Sequence, residues 1–352
     1  MDSLTQAILG AAVAGAAIGK KEGNKAIWWG AAIGTLPDLD VLVARFFDPV
    51  RSLLFHRGIS HSLLFMLLVS PLIGLMLKRI YHRSATTLKQ WGIMVILVLS
   101  THVLLDLFTT YGTGLFEPFS NLRVEWSTIA IIDPFYTVPI LLSLVVLMFM
   151  KRDVKIRKIT GAIGLTISTL YLLFTVVNKL NINHVFKNQL AAQGIEYTQL
   201  KTVPLPLSNF LWMGLARYAD GHYIGLYSVF DKSENIEFEE IRKNEFLIYN
   251  LSKDKRIKNL KRFSKDYYSV KFVNGSLLYN DLRFGRFGFD KHSPFIFSFT
   301  ISHDGEKLSI KENDMQGPIP ENFFNSYIRR ICGEVEHTVP EAESNRLKLP
   351  VK

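Results

Sequence analysis

Residues 91–109 have the sequence WGIMVILVLSTHVLLDLFT, in which His102 and Asp106 interrupt an apolar run long enough to cross a bilayer. Ionisable groups are expensive inside a membrane, so they are functional candidates by default. The two residues are one helical turn apart, and their side chains therefore project from the same helical face. We interpret this segment as a membrane helix that carries two ligands, or one hydrogen-bonded pair, into the protein interior.

Five further apolar segments lie at 4–19, 26–44, 59–77, 128–150 and 158–178. With 91–109, they predict an N-terminal bundle of about six membrane helices. Pro37, Asp38 and Asp40 interrupt the second segment, so that helix can break there. Basic residues concentrate in the alternate loops 20–25, 78–89 and 151–158, and this asymmetry predicts that these loops are cytoplasmic.

The second half of the chain has the pattern of a β domain. Asp220-Gly221, Asn274-Gly275 and Asp304-Gly305 each separate two strand-like runs, which is the strongest short hairpin signal. We expect an antiparallel sheet of six or more strands, preceded by a surface helix at 181–193. The basic stretch 251–266 favours a solvated helix face, with contact to anionic headgroups as the alternative.

The predicted fold class is therefore an α+β membrane protein of the cell membrane. Residues 1–178 form a multi-pass membrane helical domain, and residues 179–352 form a soluble, extracytoplasmic, β-rich domain. The sequence leaves the oligomeric state open.

Seven acids and imidazoles are predicted at one depth, near the outer ends of the membrane helices. They are Asp38, Asp40, His56, His61, His102, Asp106 and Asp133. Four carboxylates in a partly desolvated bundle need protons, cationic partners or a metal. A mixed His/Asp set favours zinc, with manganese or iron as alternatives. Each residue also has a structural explanation: His102 and Asp106 can form a hydrogen-bonded pair, and Asp133 can cap the helix that begins at Pro134.

Four motifs resemble the YdjM-like family of inner-membrane proteins, to which metal-dependent hydrolysis is ascribed. They are MDSLTQAILG at 1–10, LPDLD at 36–40, HRGISHS at 56–62 and HVLLD at 102–106. The resemblance covers residues 1–140, and the stretches 204–212 and 220–223 resemble the tail of one branch. It implies the site residues Asp38, Asp40, His56, His61, His102 and Asp106. Some members have histidine where this chain has Gln6.

These features predict a membrane-bound hydrolase that cleaves an ester or phosphoester, on a membrane lipid or lipid-linked substrate, at the outer face. Asp38 or Asp40 would complete the metal site or act as general base, with Asp40 as the catalytic candidate, and Arg57 would bind a phosphate oxygen. The alternative is a non-enzymatic membrane protein, a transporter or a scaffold, that handles ions or protons through the His/Asp network. Haem binding by paired histidines is a third hypothesis.

Other classes are disfavoured by composition and by missing motifs. Much of the net charge of +10 sits in short loops, which indicates a topology signal and no nucleic-acid partner. The sequence contains no HExxH, P-loop or GxSxG motif, which argues against zincins, P-loop ATPases and serine hydrolases of that type. The single cysteine, Cys332, excludes an intrachain disulfide.

Overall fold

Helices occupy most of the first 192 residues in the computed structural model, which describes residues 1–152, 154–289, 291, 293–304, 307–313 and 323–334. They are α1 (Ser3–Glu22), α2 (Asn24–Thr35), α3 (Asp40–Ala44), α4 (Pro49–Phe55), α5 (Leu63–Ile80), α6 (Leu88–Leu107), α7 (Pro134–Phe149) and α8 (Lys155–Ala192). Short 3₁₀ turns at Pro37–Leu39 and Ile59–His61 precede α3 and α5. Each predicted apolar segment contains a helix, so the helical N-terminal region is confirmed.

Three of these helices, α5, α6 and α8, are long and apolar enough to cross a membrane. Helix α2 and the stretch Pro37–Ala44 make a fourth candidate span, bent by 43° at the predicted break. Helix α7 is apolar but has 16 residues. Within the described residues the structure therefore supports three or four spans, and the crossing of the membrane by six helices stays a prediction.

The basic loops meet at one end of the helical bundle. Lys21 donates to the carbonyl oxygen of Ala85 at 3.3 Å, which joins the first basic loop to the second. Asn24 donates to the Met148 carbonyl at 2.9 Å and accepts from Arg157 at 2.7 Å, which joins the first to the third. The end of α2, the start of α5 and the last turns of α6 lie at the opposite end, as the alternating helix directions require.

Glycines allow α1 and α2 to pack closely. A Cβ atom on Gly30 would lie 2.3 Å from the Gly10 carbonyl oxygen and 2.5 Å from the Ala14 Cβ. A Cβ on Gly34 would lie 2.7 Å from the Gln6 carbonyl oxygen. Small residues at such contacts let two helix backbones approach within a membrane bundle. The close approach brings the ends of both helices to α6.

Two four-stranded antiparallel sheets follow α8, in the orders β1-β2-β3-β4 and β5-β6-β7-β8. The strands are β1 (Gln199–Pro204), β2 (Leu211–Arg217), β3 (Gly221–Ser228), β4 (Phe238–Arg242), β5 (Tyr268–Val273), β6 (Ser276–Arg286), β7 (Phe295–Asp304) and β8 (Lys307–Glu312). The predicted antiparallel strands are confirmed, but the prediction of one sheet with six or more strands is wrong, because the eight strands form two separate sheets.

The predicted hairpins occur as expected. Strand β2 pairs with β3 across Asp220-Gly221, and β5 pairs with β6 across Asn274-Gly275. Asn274 and Gly275 have φ of 49° and 77°, as a two-residue type I′ turn requires. Strands β7 and β8 also pair, while Gly305 lies outside the described residues.

The two halves of the chain share packed cores. The expected helix at 181–193 is the C-terminal part of α8, where Ile182 and Phe186 are buried with Trp212. Helix α9 (Lys255–Ser264) buries one apolar face in a core that also contains Leu53 and Tyr111 from the helical half. A short helix, α10 (Phe323–Ile331), follows β8. The β sheets are thus packed onto the loops at the bundle end opposite the basic loops.

Candidate metal centre

Four ionisable side chains meet at the bundle end opposite the basic loops. Asp38 comes from the 3₁₀ turn after α2, and His61 comes from the turn before α5. His102 and Asp106 come from the last turns of α6. Each residue offers one ligand atom, and the four atoms lie within 4.8 Å of one another. All four side chains are buried.

The distances between these ligand atoms are close to those around a single small cation. His61 Nε2 lies 3.1 Å from His102 Nε2, 3.2 Å from Asp106 Oδ2 and 3.5 Å from Asp38 Oδ1. His102 Nε2 lies 3.4 Å from Asp106 Oδ2 and 3.7 Å from Asp38 Oδ1. Ligands bonded to tetrahedral zinc at its usual bond lengths are separated by about 3.3 Å. These five separations therefore match the edges of one tetrahedral site.

Hydrogen bonds fix the tautomers of both imidazoles. His102 Nδ1 lies 2.6 Å from the Gly34 carbonyl oxygen, which can only accept, so this nitrogen carries the proton. Ser60 Oγ donates to Asp40 at 2.6 Å and therefore accepts from His61 Nδ1 at 2.9 Å. In their neutral forms both histidines then direct an Nε2 lone pair towards the same point. Such an arrangement is repulsive unless a cation or a proton lies between them.

Asp106 has one satisfied and one unsatisfied oxygen. Its Oδ1 accepts from the amino group of Met1 and from Gln6 Nε2 at 3.1 Å, and it forms an ion pair with Arg57 Nη2 at 3.2 Å. Its Oδ2 is buried, has no hydrogen-bond partner in the described part of the chain, and faces His61 and His102. Buried carboxylate oxygens are normally paired with a donor or a cation. The residues present therefore fit a divalent cation.

Asp40 and His56 form a second layer behind His61. Asp40 Oδ1 lies 2.7 Å from His56 Nδ1, and Asp40 Oδ2 accepts from the Arg57 amide at 3.0 Å. Asp40 Oδ2 is also 3.5 Å from His61 Nδ1, the nitrogen that points away from the four ligand atoms. Both residues were predicted as ligands, and the structure places them beside the four-residue group, on the Nδ1 side of His61. The His56 side chain is 23% exposed.

Arg57 is directed at the carboxylate of Asp106. Its side chain is buried, and its guanidinium donates to Thr109 Oγ1 at 2.7 Å and to the Met1 carbonyl at 3.3 Å. These hydrogen bonds hold the guanidinium 3.2 Å from Asp106 Oδ1, where its charge compensates that of the carboxylate. The predicted phosphate contact of Arg57 would have to compete with them.

Asp133 lies apart from the four-residue group. It caps α7, where its Oδ1 accepts from the Phe135 amide at 3.0 Å, and its Oδ2 accepts from the Tyr171 hydroxyl at 2.9 Å. The structure therefore does not bring Asp133 to the other predicted ligands, and the alternative explanation of a helix cap describes its contacts.

Sequence reasoning missed several polar groups around the site. Ser60, Thr109 and the Gly34 carbonyl oxygen all contact a candidate ligand or its partner. Gln6, which the family resemblance had already pointed out, also contacts Asp106. Ser60 lies between two predicted ligands, His56 and His61, and could have been found from that position. The carbonyl of Gly34 carries no signal in the sequence, because its role depends on the packing of α2 against α6.

Comparisons with known proteins agree with the motif resemblance. The chain is 24% identical to the uncharacterised protein YfhP of Bacillus subtilis over 347 residues, which are 89% of this chain and 94% of YfhP. It is 35% identical to the inner membrane protein YbcI of Escherichia coli over 118 residues, 31% of this chain and 66% of YbcI. No solved structure matches. The model of the family described as YdjM inner membrane protein matches residues 1–182, a region that contains all four ligand residues. The chain therefore belongs to the YdjM family of inner membrane proteins.

Proposed function

We propose that this protein is a metal-dependent hydrolase of the cell membrane, which cleaves an ester or phosphoester in a lipid or lipid-linked substrate at the outer face. The observation that supports it is the convergence of four ligand atoms on one point, including the unpartnered Oδ2 of Asp106. Two imidazoles and two carboxylates favour zinc, with manganese or iron as alternatives.

In this proposal Asp38, His61, His102 and Asp106 hold the cation. A bound divalent cation supplies Lewis acidity for attack on a carbonyl or phosphoryl centre. The chain contributes the orientation of its ligands: Gly34 fixes the ring of His102, while Ser60 and Asp40 fix that of His61. Arg57 and Gln6 contact Oδ1 of Asp106, which leaves Oδ2 for the cation.

His56 is the residue we propose for proton transfer. Asp40 binds its Nδ1 at 2.7 Å and so leaves Nε2 available, as in other histidines that act as general bases. The ring centroid of His56 lies 6.2 Å from that of His61, beside the proposed cation, and the side chain is partly exposed. Asp40, which the sequence suggested as general base, would then position His56.

The surface around the site fits a substrate that arrives from the membrane. Asp38 and Asp40, each 7% exposed, connect the buried site to a surface with many exposed apolar side chains. These side chains are Leu4, Leu39, Val41, Leu42, Val43 and Phe46. An apolar rim beside a polar centre suits a molecule with a hydrocarbon part and a polar headgroup.

One observation favours a second candidate function, a non-catalytic metal site that stabilises a transporter or scaffold. Four protein ligands complete a tetrahedral shell, whereas catalytic zinc sites normally keep one position open. For hydrolysis, Asp38 would have to leave the cation so that one coordination position becomes open. Asp38 is the ligand nearest to the surface, and it also accepts a hydrogen bond from Ser3 at 3.0 Å. Metal content and activity together distinguish the two candidates.

The first experiment is elemental analysis of the full-length protein purified in detergent. We expect about one zinc, manganese or iron ion per chain, because a tetrahedral set of four ligands binds one cation. His102→Ala and Asp106→Asn should lose the metal, while His184→Ala, which changes an exposed histidine on α8, should retain it. A wild-type protein without stoichiometric metal would contradict both candidate functions.

The second experiment measures hydrolysis of ester and phosphoester lipids by the metal-loaded protein. His56→Ala should keep its metal and lose activity by a factor of about 10²–10⁴, the usual contribution of a general acid or base. A protein that binds metal stoichiometrically and hydrolyses none of these substrates would favour the second candidate.

A further inference from the structure

A small cavity of about 270 Å³ lies where α8, β1 and two loop segments meet. Its lining includes Ser127 and Trp126 from the loop between α6 and α7, and Tyr267 from the turn before β5. None of the four metal-ligand residues lines it. The site is therefore separate from the proposed metal centre.

Positive charge predominates around this cavity. The lining contains three lysines and one carboxylate, namely Lys179, Lys201, Lys265 and Glu125. Glu125 is shared: it pairs with Lys201, lies 3.3 Å from Lys265 and also accepts a contact from Arg283 at 3.4 Å. Arg283 is further paired with Asp281 at 2.7 Å. Four basic side chains therefore face two carboxylates, and one of the four, Lys179, already donates to the carbonyl oxygens of Trp126, Ser127 and Thr202.

Burial makes this positive charge costly. Desolvation lowers the pKa of Lys265 to about 8, against the partial compensation from Glu125. Desolvation also lowers the pKa of Lys201. A bound anion would offset this cost, because an opposite charge stabilises the protonated amines.

Two of the residues that line the cavity, Ser127 and Tyr267, carry a hydroxyl group that has no partner among the described residues. Ser127 Oγ and Tyr267 Oη are buried and make no hydrogen bond there. Burial raises the pKa of Tyr267 to about 12, so its hydroxyl keeps its proton and remains a donor. A buried polar group without a partner destabilises the folded state. Both groups therefore indicate an acceptor that the described residues do not supply.

We propose that this cavity binds a phosphate group, either as inorganic phosphate or as the headgroup of an anionic phospholipid. A phosphate has several oxygens, which can accept from Ser127 and Tyr267 while the amines of Lys201 and Lys265 balance its charge. Trp126, which lines the cavity and is 44% exposed, is of the type that is enriched at the membrane surface. This binding needs no metal and goes beyond the proposed hydrolysis.

The test uses the full-length protein in a neutral detergent and two probes. Inorganic phosphate is titrated while thermal unfolding is followed, since a ligand of the folded state raises the melting temperature. Separately, phosphatidylglycerol is added and its retention is measured by native mass spectrometry. Tyr267→Phe and Ser127→Ala each remove one hydroxyl without changing charge, and Lys265→Gln removes one charge. Lys258→Gln, at an exposed position of α9, is the matched charge control.

We expect one probe to bind the wild type and the control alike, and about tenfold more weakly to the hydroxyl variants, because each loses a hydrogen bond to a charged group. Stabilisation by inorganic phosphate identifies the free anion as the ligand, and retention of phosphatidylglycerol alone identifies the headgroup. Without either probe, Tyr267→Phe should be at least as stable as the wild type, since it removes an unpaired hydroxyl. Failure of both probes, or equal binding by all variants, would overturn the proposal.

Discussion

At the residue scale, the contacts of each acid decide its role. Asp38 and Asp106 direct an oxygen towards the two imidazole Nε2 atoms, whereas Asp40 faces the opposite side of His61. Asp133 is occupied by the N-terminus of α7 and by Tyr171. Residues of one type at one depth of the bundle can therefore act as a ligand, an orienting group or a helix cap.

Substitution of Asp133 and Asp106 tests this division. Asp133→Asn should retain the bound metal, because the residue contacts α7 and Tyr171. Asp133→Ala should cost about 1 kcal/mol of stability through the lost cap. Asp106→Asn should lose the metal, as measured by elemental analysis of both purified variants. Loss of metal in Asp133→Asn would instead make Asp133 a ligand.

His222 predicts a pH dependence of the β-sheet region. This residue is buried on β3, where burial, aided by Lys243 and Arg217, lowers its pKa to about 4, partly offset by a hydrogen bond to the Asp266 carbonyl. Its pKa in an unfolded chain is about 6.5. The folded state therefore favours the neutral imidazole, and the full contribution of His222 to the free energy of unfolding is present above about pH 6.5. This contribution, up to about 3 kcal/mol, is lost as the pH falls towards 4.

Unfolding midpoints measured between these pH values should show the effect. The wild type and His184→Gln should lose stability in parallel on acidification, because His184 is exposed. His222→Gln should show a flatter profile. The same profile in all three proteins would rule out His222 as the titrating group.

At the scale of the element, α8 connects the bundle to the first sheet. Its 38 residues extend about 57 Å, more than a bilayer core requires. Its middle part exposes Leu173, Val177 and Leu180, as expected beside lipid. Its last turns bury Phe186 against β2, where a Cβ on Gly214 would lie 2.3 Å from the Phe186 ring. One helix therefore serves two different environments.

Truncation of Phe186 should destabilise the first sheet. Phe186→Ala removes a fully buried ring and should cost about 3–5 kcal/mol, measured by the loss of the β circular dichroism signal with denaturant. Leu180→Ala, in the same helix but 66% exposed, should cost much less in detergent. Equal costs for the two substitutions would mean that the end of α8 does not support the sheet.

At the scale of the whole molecule, the basic loops and the candidate metal centre lie at opposite ends of the bundle. Contacts of Lys21, Asn24 and Arg157 hold the basic loops together. Positively charged loops are retained in the cytoplasm, so we propose that the metal centre and the β sheets face outwards.

Reporter fusions test this orientation. Fusions after residues 84 and 155 should report the cytoplasm, and a fusion after residue 200 should report the outer side. The reverse pattern would place the metal centre at the cytoplasmic face and contradict hydrolysis at the outer leaflet, without affecting the geometry of the site.

The sequence alone determined the features that depend on local chemistry. Apolar length predicted the helical segments, and Asn274-Gly275 predicted a type I′ hairpin because both residues tolerate positive φ. Alternating helix directions also predicted seven acids and imidazoles at one depth, and four of them, Asp38, His61, His102 and Asp106, form one group. The one-turn spacing of His102 and Asp106 and the charge of the loops were sufficient for this prediction, because both are local features of the sequence.

The tertiary structure decided what depends on contacts between distant segments. Which nitrogen of His61 faces the site is set by Ser60 and Asp40, and the tautomer of His102 is set by a carbonyl on α2. The predicted boundary at residue 178 falls inside α8, because that helix continues until its apolar face is covered by the first sheet. These features depend on contacts between residues that are far apart in the sequence, so they cannot be read from the order of residues alone.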